Sequence, residues 1–159
     1  ILTDIASHQI DQFLHYTGSD TAQITHAFTA NYANRGDPGL QDFGEINLLS
    51  GQGTGYIRVD WFTPDALPTW GDGRLTILGT EGYLELRKYV DVGGGKGTDH
   101  LILVNESKSE KIDASGAGLP YFSCLAHDIE HRSNTAMTQA HCFTVMELAL
   151  LAQQMAEVK

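Results

Sequence analysis

At 159 residues, 42% of them hydrophobic and 19% charged, the chain has the composition of one folded domain and not of a disordered segment. A formal net charge of -10 repels phosphate backbones and anionic lipid, and no apolar run nears the ~20 residues of a membrane span, so neither nucleic acid nor membrane is an expected partner. Two cysteines, Cys124 and Cys142, are too few for a disulfide framework and predict reduced thiols in a cytoplasmic protein.

The sequence opens at Ile1 without a methionine and enters a helical pattern at once, as expected of a piece of a longer polypeptide. Leu2, Ala6, Ile10, Phe13 and Leu14 recur at three- and four-residue steps, which predicts an amphipathic helix over 2–17 stopped by Gly18. Residues 22–34 alternate and are rich in Thr, Phe and Tyr, as in a strand, and 35–39 form a loop. Further strands are predicted near 42–50, 54–62, 74–79, 83–89, 100–105 and 110–113. The spacers Gly51-Gln52-Gly53 and Thr80-Glu81-Gly82 suit hairpins, so the sheet should be mainly antiparallel.

Gly93 to Gly97 reads as a flexible loop and not as a nucleotide cradle. The longer stretch 63–73 lies near Trp61, Phe62 and Trp70, and either lines a site or is pinned to the sheet by these aromatics. Helices are predicted over 121–132, opened by Pro120, and over 138–157, with Cys142, Val145, Met146, Ala149, Ala152 and Ala156 as the apolar stripe of the second. The order helix, many strands, two helices predicts an α+β fold: a single open, mainly antiparallel sheet with helices on one face. Strands such as 56–61 and 75–78 carry apolar residues on both sides of the pleat, which asks for a partner on the bare face.

Two groups of residues could carry chemistry. Asp4, His8, Asp11 and His15 follow steps of four, three and four, within an arc of about 60° opposite the apolar stripe. A carboxylate one turn from an imidazole fixes its tautomer and raises its basicity, as a proton acceptor needs; the same spacing also describes a solvated helix face. Near the other end stand Cys124, His127, Asp128, His131, His141 and Cys142. His127 and His131 are one turn apart, but the segment lacks the His-Glu-x-x-His pattern of a zinc helix, so no metal site is expected.

The run Asp4-Ile-Ala-Ser-His8-Gln-Ile-Asp11, closed by Gly18, resembles the D-x-x-x-H-x-x-D helix that opens the C-terminal domain of the Gfo/Idh/MocA oxidoreductases. Leu78-Gly79-Thr80-Glu81-Gly82-Tyr83-Leu84-Glu85-Leu86 is similar to that family's GTEG hairpin, and the segment from Tyr121-Phe122 to Glu147-Leu148-Ala149 to its closing helices. The resemblance spans nearly the whole chain and implies that residues 1–159 are a substrate-binding and oligomerisation domain whose N-terminal Rossmann partner is absent. It implies a parent enzyme that uses NAD or NADP to oxidise a CH–OH group of a sugar, polyol or related small molecule. By the same resemblance His8 takes the hydroxyl proton and Asp4 is its partner; Asp11, two turns beyond Asp4, either contacts substrate or has a helix-surface or loop-bonding role, and no role falls to His15. The family's catalytic lysine and glycine-rich dinucleotide turn belong to the absent domain, so no cofactor is expected on this chain. The other readings are a non-catalytic module that forms homo-oligomers through the sheet face, or a metal-binding domain.

Overall fold

A computed structural model describes residues 1–114 and 116–157. In order these form α1 (Ile5–Thr17), β1 (Gln23–Ala30), β2 (Phe43–Leu49), β3 (Thr54–Asp60), β4 (Arg74–Gly79), β5 (Gly82–Arg87), β6 (His100–Asn105), β7 (Ser109–Asp113), α2 (Tyr121–His131) and α3 (Gln139–Glu157). The α+β class and the antiparallel pairing agree with the sequence reading. The strands, however, form two hydrogen-bonded sheets and not one: β1-β2-β3 and β4-β5-β6-β7. The chain divides accordingly into two compact units, Ile1–Phe62 with Pro120–Lys159, and Thr63–Leu119.

The first unit holds the main core. The α1 helix ends where Gly18 adopts a left-handed conformation (φ 63°). Its N–H then reaches the His15 carbonyl, and the Ser19 N–H reaches Leu14, so two otherwise orphaned acceptors are satisfied. Leu2, Ala6, Ile10 and Leu14 are buried against Ile46, Leu48, Ile57 and Val59 of β2 and β3, and against Val145, Leu148, Ala149, Ala152 and Ala156 of α3. A β-bulge between Ile24 and His26 lets Ile24 and Ala27, three residues apart, both enter this core.

The helix lies very close to the sheet. At Gly55 an added Cβ would sit 2.6 Å from Phe13 Cδ2, and at Gly44 2.6 Å from Leu2 Cδ2. Gly55 is glycine because the Phe13 ring of α1 occupies the space of a side chain, and Gly44 because Leu2 and Ile1, in the lead-in to α1, do the same.

Three expected details differ. The strand predicted over 22–34 stops at Ala30, because the fully buried Asp42 draws the next residues into a turn. Its carboxylate accepts N–H bonds from Tyr32 (2.9 Å) and Ala33 (2.8 Å) and from the Asn34 amide (3.0 Å). Along α3 the buried stripe is Val145, Leu148, Ala149, Ala152 and Ala156, whereas Cys142 and Met146 are exposed. The outer side of β3 is polar and not apolar: Arg58 pairs with Asp60 at 3.0 Å and stacks over Phe43.

The second unit is a four-stranded meander. Thr80 and Glu81 join β4 to β5 as a tight turn, and Gly82 (φ 151°) must be glycine, since a Cβ there would meet the Val104 carbonyl oxygen at 2.2 Å. Register places Leu75, Leu86, Leu101 and Ile112 in one row, and Ile77, Leu84 and Leu103 in the next, on one side of the sheet. All seven are half-buried and none belongs to the buried core.

Candidate functional site

The four spaced polar residues of α1 have different surroundings. Asp4 caps the N-terminus without a side-chain hydrogen bond to the helix, and both Asp4 and His8 are exposed. One turn separates them, but no hydrogen bond joins them. His15 is exposed and meets the Tyr16 ring edge-on, centroids 5.3 Å apart. Asp11 turns toward α3, where its Oδ1 lies 2.6 Å from His141 Nε2.

That pairing joins a residue of the expected active face to one from the rival cluster, and the rest of that cluster disperses. His127 and His131 stack with centroids 4.2 Å apart, and His131 Nδ1 bonds the His127 carbonyl at 3.0 Å. Asp128 closes the turn after α2: it accepts the N–H groups of Thr135 and Ala136 and the hydroxyls of Ser133 and Thr135, at 2.7–2.9 Å. Burial alone would raise this carboxyl, but these donors outweigh it and hold it far below the usual carboxylate range. The same balance lowers Asp42: desolvation is opposed by the Tyr32 and Ala33 N–H groups and the Asn34 side chain. Among the described residues no three His, Cys, Asp or Glu side chains gather as a metal site.

The Gly93–Gly97 segment has a definite occupant. The Asp91 carboxylate accepts the Gly93 N–H at 2.9 Å and pairs with Arg87 at 3.0 Å. The Gly93 N–H above all, then the Arg87 charge and the Gly95 N–H, lowers its pKa despite partial desolvation. Nearby, the buried His100 bonds the Gly97 carbonyl through Nε2 at 3.0 Å and accepts from Lys111 Nζ through Nδ1 at 2.6 Å. An internal anion therefore fills this glycine-rich turn, and no helix begins there. These residues do not fit a dinucleotide pyrophosphate, which needs free N–H groups at a helix N-terminus.

Sequence reasoning missed Asp42, Asp91 and Asp128 as organisers of turns and missed the contact of Asp11 with His141. A lone aspartate before a Gly- or Ser/Thr-rich turn is a weak signal for Asp91 and Asp128, and Asp42 follows the turn it organises. Nothing in one sequence connects positions 130 residues apart. In the 63–73 loop Trp70 is 82% exposed, which is at odds with an indole pinned flat on the sheet. No helix among the described residues is long and apolar enough to cross a membrane.

No protein-family model matches the chain, and no curated protein does. Solved structures do. A provisionally named oxidoreductase from Erwinia carotovora atroseptica SCRI1043 is 47% identical over 99% of this chain, with a TM-score of 0.94. One from Thermotoga maritima, also provisionally named, is 20% identical over 96% of the chain (TM-score 0.79), and one from Klebsiella pneumoniae 16% identical over 99% (0.69). The chain spans 47%, 43% and 47% of these three proteins, about half of each. It thus has the fold of an oxidoreductase-type domain that, in the proteins it resembles, is accompanied by as much chain again.

Proposed function

We propose that this chain is the substrate-side domain of a nicotinamide-dependent oxidoreductase of the Gfo/Idh/MocA family, acting on a CH–OH group of a sugar, polyol or related compound. A cytoplasmic setting suits its two free thiols. The observation that carries the reading is the state of His8. Among the described residues it is the one histidine of seven whose ring enters no hydrogen bond, ion pair or ring contact, and it is exposed on the helix whose sequence resembles the family's active-site helix. The rings of the other six are each engaged by a hydrogen bond, an ion pair or another ring, and His8 is left open to something outside the molecule.

Oxidation of a carbinol removes a proton from oxygen and a hydride from carbon. The hydride acceptor, NAD or NADP, is the business of the half outside this chain, since Asp91 fills the Gly93–Gly97 turn. The share of this chain is the proton. A His8 ring nitrogen accepts it from the substrate hydroxyl, and Asp4, one turn earlier on the same face of α1, is its partner. Asp11 supplies an acceptor for a second hydroxyl.

The test is steady-state kinetics of the full-length protein on a polyol panel with each nicotinamide cofactor. His8→Ala should lower kcat by about 10²–10⁴-fold with a smaller change in KM, the usual share of a positioned base. Asp4→Asn should do milder damage and His15→Ala little. A nearly silent His8→Ala would return the α1 face to an ordinary solvated surface.

The sheet of the second unit favours a companion reading, that the domain also assembles homo-oligomers. A side that carries Leu75, Ile77, Leu84, Leu86, Leu101, Leu103 and Ile112 without burying any of them calls for cover. Light scattering of the isolated chain should report a dimer or larger species; a strict monomer at high concentration would refute it.

A further inference from the structure

The hydrogen bond between Asp11 and His141 bears on the substrate site itself. His141 is the third residue of α3, and its backbone N–H is held by the Thr138 hydroxyl at 3.1 Å, the bond of a helix N-cap. The cap fixes the backbone from which the imidazole reaches α1. Its Nε2 then meets Asp11 Oδ1 at 2.6 Å, with both side chains about two-thirds or more buried (26% and 32% exposed). A carboxylate accepts and cannot donate, so Nε2 carries the hydrogen, and the neutral ring is the Nε2–H tautomer. Among the described residues Asp11 Oδ2 has no partner, and Asp11 stands one turn beyond His8 on α1.

We propose that His141 is a positioning residue of the α1 site: it holds Asp11 by Oδ1 and leaves Oδ2 as the acceptor presented to a substrate hydroxyl. The inference rests on the reading of α1 as the substrate-facing helix. Without the imidazole, the Asp11 side chain regains its rotamers and both oxygens turn to water, so the cost falls on substrate binding more than on the chemical step.

The experiment has two arms. In the full-length protein, His141→Ala should raise KM about tenfold with a smaller change in kcat. His141→Gln, which keeps an N–H donor at similar reach, should recover most of the loss, and Asp11→Asn/His141→Ala should be no worse than the worse single variant. Equal losses in kcat and KM, or no rescue by His141→Gln, would overturn the proposal. The second arm is independent of activity: ¹⁵N shifts of the His141 ring in the 159-residue chain should report the Nε2–H tautomer, and Asp11→Asn should erode that preference. A tautomer mixture already present in the unsubstituted chain would overturn the pair itself. The expected tautomer together with a parent protein inert toward all polyols would instead sink the oxidoreductase reading and, with it, the role given to Asp11 Oδ2.

Discussion

Replacing Gly55 by alanine tests how closely α1 is seated on the sheet. The new methyl would lie 2.6 Å from Phe13 Cδ2 and 3.0 Å from Cε2. Ordinary carbon contacts are about 3.5–4.0 Å, so the ring or the helix must retreat by roughly 1 Å. Overpacking of this kind costs about 1–3 kcal/mol. The backbone of Gly55 lies outside the left-handed region, so alanine also restricts the unfolded chain, a gain of about 0.4–1 kcal/mol. The difference leaves a net loss of about 1.5 kcal/mol, or a fall in Tm of roughly 3–6 °C for a chain of this size. Thermal melts of Gly55→Ala, Phe13→Leu and the double variant measure it. Leucine at 13 removes the flat ring, so the two substitutions together should cost less than the sum of their separate costs by about 1 kcal/mol. A Gly55→Ala chain that melts higher than the parent, or strict additivity with Phe13→Leu, would refute the close seating of α1 on β3.

Titration calorimetry of NAD(H) or NADP(H) into the isolated chain should show no binding, because Asp91 occupies the turn that a pyrophosphate would need; micromolar affinity would contradict this. Asp128 and Asp42 both have depressed folded-state pKa values, so each contributes stability that is present above the ordinary carboxylate value of about 4 and is lost as pH falls below it toward the folded value. Tm should therefore fall on acidification below about pH 4, and Asp128→Asn should flatten that slope while lowering Tm near neutrality; an unchanged slope would show that the turn after α2 does not depend on the carboxylate.

The periodic parts of the fold were legible in the sequence. Helix α1 shows an uninterrupted three-and-four spacing and a terminal glycine, and Gly79 to Gly82 marks its own hairpin. Where periodicity was ambiguous the reading slipped. Helix α3 carries Phe143, Met146, Leu150, Leu151 and Met155 on its exposed side, so apolar character surrounds it and the choice of Cys142 over Leu148 for the core had no firm basis. The division into two sheets escaped because alternation specifies which side of a strand is buried, not which strand it pairs with. Thr25 and Thr29 support a strand through 34 as well as they support one that ends at 30, and only the buried Asp42 decides. On α1 the sequence supplied the four candidates and their common face; the departure of Asp11 toward His141 is tertiary information.

The first unit is discontinuous, and this shapes how the protein can be made. Five of its buried residues, Val145, Leu148, Ala149, Ala152 and Ala156, are on α3, which packs against β1 and α1 across more than a hundred residues of intervening chain. A ribosome delivers α1 and the first three strands long before it delivers their cover. Through that interval Ile24 and Ala27 have no lid, and the nascent chain is most exposed to misassociation. Residues 63–119 have their pairings local in sequence and can form during the wait. Ribosome-bound chains stopped just short of 139 should accordingly show protease-resistant β4–β7 beside a first unit that is still cleavable.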